Sequence, residues 1–462
     1  MRGDIPVQEL YVKAPKIYAK KVSGVFAKLR TAAMWLLLGW YYLAPWLTWD
    51  GRQAILFDLP GRKFHLFGLT LWPQDFIFLA WLLILAALAL FFFTALAGRL
   101  WCGYACPQTV WTKAFMWMER ITEGDRNARM RLDKQPLSWE KVRKKTAKHT
   151  LWIVFALFTG YTFVGFFVPI RELSTDMLNG TLGGWGWFWV LFYSFATYGN
   201  AGKLREQVCI YMCPYARFQG AMFDKDTLII AYDEKRGEPR GARKKDAERG
   251  QDGLGDCIDC KQCVNVCPTG IDIRDGLQIA CIACAACIDA CDEVMVKMNY
   301  PKGLVRYTTE HRDTGKATHV LRPRVVIYAV LLFTLMALFV YALSVRTPLR
   351  VDVLRDRGRL YTATSIGTIE NVYTLKVMNM DQVAHRYRLQ ASADAPVIVK
   401  GNLEFDVPAG EILNIPVRLE IDPYELKETT STVRFRIESI DQPTLVIEES
   451  SSFIKPANVG AR

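Results

Sequence analysis

Eight of the 12 cysteines in this chain stand in two runs of a single spacing. The first run reads Cys257-Ile-Asp-Cys260-Lys-Gln-Cys263-Val-Asn-Val-Cys267-Pro268, and the second Cys281-Ile-Ala-Cys284-Ala-Ala-Cys287-Ile-Asp-Ala-Cys291. Thiolates at C-x2-C-x2-C spacing grip one face of a cubane cluster, while the fourth cysteine of the run points away and ligates the neighbouring cluster. The pattern therefore assigns Cys257, Cys260, Cys263 and Cys291 to one [4Fe–4S] centre, and Cys281, Cys284, Cys287 and Cys267 to another. A zinc ribbon pairs two C-x2-C knuckles and has no use for eight thiols in this double register. Asp292 stands where a second proline is common, and the stretch from Cys267 to Cys281 is short, but neither departure removes a ligand. The implied chemistry is one-electron transfer.

The other four cysteines form a second constellation. Cys102-Gly-Tyr-Ala-Cys106-Pro107 and Cys209-Ile-Tyr-Met-Cys213-Pro214 share the pattern C-x-Y-x-C-P. Each has a Gly-basic-Leu lead-in, Gly98-Arg99-Leu100 and Gly202-Lys203-Leu204, and an alanine at the same later position, Ala114 and Ala221. This is an internal repeat: an apolar stretch followed by a thiol pair, used twice. If each pair lies on a helical turn, the i, i+4 spacing puts both sulfurs on one face. The proline then either ends that turn or opens the next helix. Two such faces brought together offer four soft ligands suited to Cu(I), zinc or an iron–sulfur centre, and a disulfide switch stays open beside them. A buried, purely apolar role is the bland alternative, and the duplication argues against it.

The elements that must position these thiols are largely apolar. With 462 residues, 51% of them hydrophobic and 13% aromatic, the chain is too long for one domain and too apolar for an ordinary soluble enzyme. Five stretches could cross a bilayer as helices: Met34–Leu47, Phe76–Gly98, Thr150–Ile170, Met177–Gly202 and Val325–Val345. Lys13, Lys16, Lys20, Lys21, Lys28 and Arg30 precede the first of them, and Arg99–Lys148 is densely basic, whereas 52–63 and 171–176 are sparse in Lys and Arg. The positive-inside rule then places the N-terminus, the 99–149 loop and 203–322 in the cytoplasm, and residues 346–462 outside. The net charge of +12 mostly reports this topology and does not call for nucleic acid. All 12 cysteines fall on the cytoplasmic side, as oxygen-sensitive thiolate chemistry requires. No cleavable signal peptide is expected.

Several functions are disfavoured. None of His65, His149, His311, His319 and His385 lies in a predicted span, so no membrane haem is expected. The spans from the second onward lack charged residues, which argues against ion transport. The glycines at 180–186 read as a membrane-edge turn. Asp224–Asp256, with Arg236-Gly237-Glu238-Pro239, reads as mostly solvated linker, with Thr227–Tyr232 able to form a strand. After Val345, alternating runs such as Tyr373–Val377 and Thr432–Ile437, with turns at Pro408–Gly410 and Asp422-Pro423, predict an antiparallel β-sandwich of immunoglobulin type. Met378 and Met380 share a strand there, and core packing is favoured over a copper thioether site.

The fold class is thus a multi-domain membrane protein: a helical transmembrane bundle of about five spans, a bacterial-type two-cluster ferredoxin domain (α+β) and a C-terminal immunoglobulin-like β-sandwich. The domain limits are a cytoplasmic tail (1–30), a four-span membrane domain (31–223), a charged linker (224–256), the ferredoxin and following loop (257–322), a fifth transmembrane helix (323–345) and a periplasmic sandwich (346–462). Taken together, the paired CxxxCP motifs, the Arg236–Pro239 stretch, the double cysteine run and the tail resemble the CcoG/FixG/RdxA family, accessory proteins of cbb3-type cytochrome oxidase in the bacterial inner membrane. CxxxCP also occurs in membrane ferredoxins of nitrate and nitrous-oxide respiration, and the outer β-domain separates the families. The resemblance implies a Cu(II)-to-Cu(I) reductase in copper-centre assembly. Cys102, Cys106, Cys209 and Cys213 would bind or reduce copper as substrate, and the eight ferredoxin cysteines would supply electrons. Implied partners are copper ions, oxidase subunits or copper-delivery proteins, an electron donor, membrane lipid and a second copy of the chain. Two other functions fit the residues: a quinol-linked electron conduit, and a non-enzymatic assembly scaffold.

Overall fold

The computed structural model describes residues 16–244, 253–356 and 358–457. Lys13 of the basic tail, residues 245–252 of the charged stretch and the last five residues lie outside these. The chain divides into two compact units, one comprising the residues up to Phe67 with Pro73–Met336, the other Gly68–Trp72 with Ala337–Arg462.

In the first unit, helix α1 (Val25–Leu43) stops where Pro45 forces a 3₁₀ turn at Ala44–Trp46. α2 (Phe76–Ala97) ends at Gly98, whose φ of +56° only glycine adopts without strain. Short α3 (Leu100–Tyr104), α4 (Pro107–Glu123) and α5 (Arg126–Lys134) follow. α6 (Trp139–Val164) opens with the Ser138 hydroxyl accepting from the Lys141 amide at 3.3 Å, a standard N-cap. α7 (Ile170–Asn179) ends at left-handed Gly180, and α8 (Gly184–Thr197) runs on as a π-helical segment, Tyr198–Leu204. A second π-helical turn, Val208–Met212, leads to α9 (Pro214–Met222). α6 and α8 pack closely because Gly160 has no side chain: a Cβ there would sit 2.3 Å from the Ser194 Oγ and 2.5 Å from the Val190 carbonyl.

Among the described residues two helices are long and apolar enough to cross a membrane: α2 with its lead-in (Pro73–Ala97), and Pro323–Ser344, here α14. The other predicted spans differ in extent. The stretch Met177–Gly202 is not one helix: it breaks at Gly180, because a residue with φ of +70° cannot continue an α-helix, and α8 begins only at Gly184. The helix predicted over Thr150–Ile170 instead spans Trp139–Val164, its first two turns carrying Lys and Arg. The one predicted over Met34–Leu47 begins already at Val25.

Part of the basic density of residues 99–148 is neutralised inside the protein. Arg129 and Arg205 meet the buried Glu119 carboxylate at 2.7 and 3.1 Å, and Lys145 and Lys148 meet buried Glu123 at 2.9 and 2.8 Å. Each buried acid faces two cations, as desolvated carboxylates require.

The eight-cysteine region is built on a two-stranded antiparallel sheet, Ile229–Tyr232 with Val305–Thr308, as the apolar run at 227–232 suggested. Helices α10 (Glu234–Gly237), α11 (Gln262–Asn265), α12 (Ala286–Lys297) and α13 (Glu310–Asp313) complete it. Arg236 corrects the solvated-linker reading. Asp233 caps its turn, and its guanidinium pairs with Asp256 and donates to the carbonyls of Pro301 and Lys302. The Arg236–Glu238 segment is therefore folded onto this domain. α1 is tied to it as well: Asp289, near the centre of α12, accepts from the amides of Phe26 and Ala27 at 3.3 and 2.7 Å. This supplies the N-cap that Gly24 cannot.

The second unit is a β-sandwich. One sheet orders strands 397–401, 412–421, 369–379 and 349–355, with 362–363 alongside, and the other orders 404–407, 385–393, 430–439 and 446–454. All pairings are antiparallel, and alternate residues such as Tyr373, Leu375 and Val377 face Val433, Phe435 and Ile437 in one core. Met378 and Met380 are buried against Trp72, so both are core residues.

Candidate iron–sulfur and thiol sites

The two cysteine runs fold into the same loop. Asp259 and Ala283, the second residue between the first two cysteines of each run, have φ of +50° and +51°. Lys261 and Ala285, just after the second cysteine, have φ of +55° and +58°. Non-glycine residues in this region cost about 1 kcal/mol or more each, and such strain recurs where a chain must wrap a ligand. Curled in this way, the loops bring the thiols to two neighbouring cavities. Cys257, Cys260, Cys263 and Cys291 line one, with Arg274 and Met295. Cys267, Cys281, Cys284 and Cys287 line the other, with Cys263 on the wall between them. The two cavities are nearly equal in size.

Burial pushes the Cys263, Cys281 and Cys291 thiols up to about 12. Such thiols ionise only when a metal takes the proton's place. Among the described residues no three Cys, His, Asp or Glu side chains converge as a single ion would require. Four thiols around one cavity match the ligand set of a polynuclear cluster. Arg274 anchors the first loop to Asp259 at 2.5 Å and to Asp272 at 2.6 Å.

The duplicated pairs are held differently. Cys102 lies in short α3 and Cys213 at the N-cap of α9; Cys106 is the N-cap of α4 and Cys209 sits in the π-helical turn before α9. Both prolines, Pro107 and Pro214, occupy the first helical position, so they open the next helix. The pairs do not share one face of a continuous helix; each straddles a helix start. Ala114 is buried and Ala221 exposed, so that part of the repeat has no common role.

The two motifs meet through Gln219 of α9, fully buried, whose amide nitrogen donates to the Cys102 sulfur at 3.4 Å. Burial raises the Cys102, Cys106 and Cys209 thiols, Cys209 to about 12, and each is raised further by one or more of the other cysteines of this set. The Gln219 side-chain amide and then Arg99 offset this at Cys102, and the backbone amides of Thr109 and Gln108 offset it at Cys106. None of the 12 cysteines is in a disulfide.

The Cys102–Cys106 turn abuts the loop of the second cluster cavity. A Cβ at Gly103, between Cys102 and Cys106, would lie 2.8 and 2.9 Å from the carbonyls of Ile282 and Ala283 and 3.0 Å from the Cys284 Cα. Arg99 donates to the carbonyls of Ile279 and Cys281 on the cluster loop, and at 2.8 Å to Ala216 beyond Cys213. Tyr307 donates to the Ala283 carbonyl at 2.7 Å and lies 3.4 Å from the Tyr104 hydroxyl. Gly103, Gln219 and Tyr307 were not singled out from sequence. Only Gly103 left a trace there, as the glycine in the first motif where the second has Ile210.

Comparison with known proteins fits this layout. The family described as "4Fe-4S dicluster domain" matches residues 204–310, "4Fe-4S binding domain" matches 79–122, and "IG-like fold at C-terminal of FixG" matches 339–456. These define an iron–sulfur electron-transfer protein with an immunoglobulin-like C-terminal domain. The chain is 42% identical to Protein RdxA of Cereibacter sphaeroides over 431 residues, covering 89% of this chain and 90% of RdxA. It is 40% identical to Nitrogen fixation protein FixG of Rhizobium meliloti over 408 residues, covering 80% and 78%. It belongs to the RdxA and FixG family. A crystal structure of a FixG-related protein from Vibrio parahaemolyticus is 34% identical, covering 24% of this chain and 98% of that one, with a TM-score of 0.22.

Proposed function

We propose that this chain is an inner-membrane iron–sulfur protein that reduces Cu(II) to Cu(I) in copper-centre assembly of a cbb3-type cytochrome oxidase. Cys257, Cys260, Cys263 and Cys291 would hold one [4Fe–4S] cluster, and Cys281, Cys284, Cys287 and Cys267 the other. When bound, the clusters would supply electrons singly, and each Cu(II) at the thiols would take one to become Cu(I). Cys102, Cys106, Cys209 and Cys213 present soft sulfur, which favours the Cu(I) product over Cu(II). Arg99 holds the two sets together and offsets part of the negative charge that thiolates would gather. Five helices would cross the membrane, with residues 346–462 outside and all thiols in the cytoplasm. The large exposed apolar side chains of α1, α6 and α8, among them Trp40, Val154 and Phe195, support spans beyond the two strongest.

The observation that carries this reading is the contact at Gly103, which leaves no side chain between the CxxxCP turn and the loop of Cys281–Cys284. One observation favours a second reading of the thiols. The match described as "4Fe-4S binding domain" covers Cys102 and Cys106, which lie outside both cysteine runs. Under that reading the four thiols hold a third cluster. Iron analysis of the anaerobically purified protein separates the two: roughly eight irons per chain with stoichiometric Cu(I) uptake supports the copper site, and roughly twelve irons with none supports the third cluster.

A further inference from the structure

An open cavity of about 180 Å³ lies beside both thiol groups. Cys209 is on its wall, and Thr269, Ile282 and Ala286 separate it from the cavity lined by Cys267, Cys281, Cys284 and Cys287. Its charge is one-sided. Lys20, Lys21, Arg30, Lys113, Arg120 and Arg205 line it, against one acid, Glu206. Burial raises the Glu206 carboxyl above its ordinary value, and even fully ionised it is one charge against six. Arg205 is paired with Glu119 and Lys20 donates to Gln262. Among the described residues Lys21, Arg30, Lys113 and Arg120 have no ion-pair partner, and the Lys113 ammonium is met only by the Thr31 hydroxyl at 2.9 Å.

Uncompensated cations facing a shared cavity are costly unless an anion joins them. The cost is visible at Lys113, which burial, Arg30 and Arg120 push down to about 7. The walls come from separate elements: Arg30 from α1, Lys113 and Arg120 from α4, Arg205 from the turn before Cys209. Guanidinium forks from two helices suit the tetrahedral, doubly charged oxygen set of a phosphate better than a single carboxylate, which would leave most of the charge unmatched. The same field repels bare Cu²⁺, so copper has no favourable approach from this side. Apolar side chains between the cations, Ile17, Val22, Met116 and Val266, can meet a non-phosphate portion.

We propose that this cavity binds a phosphate-bearing ligand, either a soluble mononucleotide-sized ester or the headgroup of an anionic phospholipid. The proposal holds whether the CxxxCP thiols take copper or a third cluster. It is tested by calorimetric titration of the full-length, detergent-solubilised, cluster-replete protein with inorganic pyrophosphate, flavin mononucleotide, and short-chain phosphatidylglycerol or phosphatidylcholine. The Arg30→Gln/Arg120→Gln double variant is compared with an Arg131→Gln/Arg143→Gln control that removes equal charge from exposed helix positions. Binding of pyrophosphate or the flavin, weakened about tenfold or more in the first variant and under twofold in the control, supports the site with a soluble ligand. The same pattern with phosphatidylglycerol alone supports it with a lipid headgroup. Absence of binding by every phosphate probe except phosphatidylcholine, or equal loss in both variants, overturns it. Equal iron content in all three proteins serves as the folding check.

Discussion

The eight thiols of the two cysteine runs and the four of the duplicated pairs are one chemical group presented in two ways. In the runs, the backbone itself curls around the space to be filled. Left-handed residues recur at matching positions, and the thiols point into two cavities of near-equal size. No residue between Cys102 and Cys106, or between Cys209 and Cys213, has a positive φ. Cys106 and Cys213 cap helix starts, Cys102 and Cys209 lie in the turns before them, and Gln219 of α9 reaches across to the Cys102 sulfur. A loop wound locally around its ligand suits a group that stays. Thiols gathered from separate elements, with an amide and a guanidinium reaching in, suit a site where charge or cargo changes. The difference is one of preorganisation against assembly.

The sharpest break in the comparison is loss of a resident ligand. Cys284→Ser should cut iron content from roughly eight to roughly four per chain, because one loop loses its cluster while the other keeps its own. Cys106→Ser should leave iron unchanged if the pairs hold no cluster. Next in size, Gly103→Val should slow re-oxidation of the reduced protein by Cu(II) at least tenfold with iron content intact. The added side chain must displace backbone at 2.8–3.0 Å and so opens the gap between the two thiol sets. An unchanged rate measured by stopped flow would remove that contact from the path.

A third prediction concerns protons. Burial keeps Cys102, Cys106 and Cys209 protonated at neutral pH, so Cu(I) must displace protons to bind. Apparent Cu(I) affinity, measured against a competing chelator from about pH 6.5 to 8.5, should rise with pH by on the order of tenfold per unit for each proton released. A flat profile would mean preformed thiolates. The smallest effect is structural. Asp289→Ala removes the acceptor for the Phe26 and Ala27 amides and should cost about 1–2 kcal/mol, read as a fall in Tm, with iron content preserved.

What could be read from sequence was what is periodic or locally spaced. The equal spacing of the two cysteine runs predicted two sites, and two cavities lie there, one lined by Cys291 and the other by Cys267, with Cys263 on both. Alternation placed Tyr373, Leu375 and Val377 in a core, and they are buried. Uncharged stretches marked α2 and α14. The misreadings share a cause: partners distant in the chain. Asp233–Pro239 looks solvated by composition, yet Arg236 reaches Pro301 and Lys302. Gly180 is one glycine among several, and only the backbone reveals that it splits a predicted span. Asp289 reads as a polar residue between two cluster cysteines, and its capping of α1 depends on contacts some 260 residues away in sequence.

The most direct test of the account is to reduce the cluster-replete protein anaerobically, mix it with Cu(II), and follow the clusters by EPR and Cu(I) with a chelating dye. The comparison is wild type against the variant with Cys102, Cys106, Cys209 and Cys213 all changed to Ser. The account predicts stoichiometric Cu(I) in wild type and a collapsed rate in the variant, with its eight-cysteine clusters intact. Equal rates in both proteins would contradict it, because copper would then be reduced without the assembled thiols.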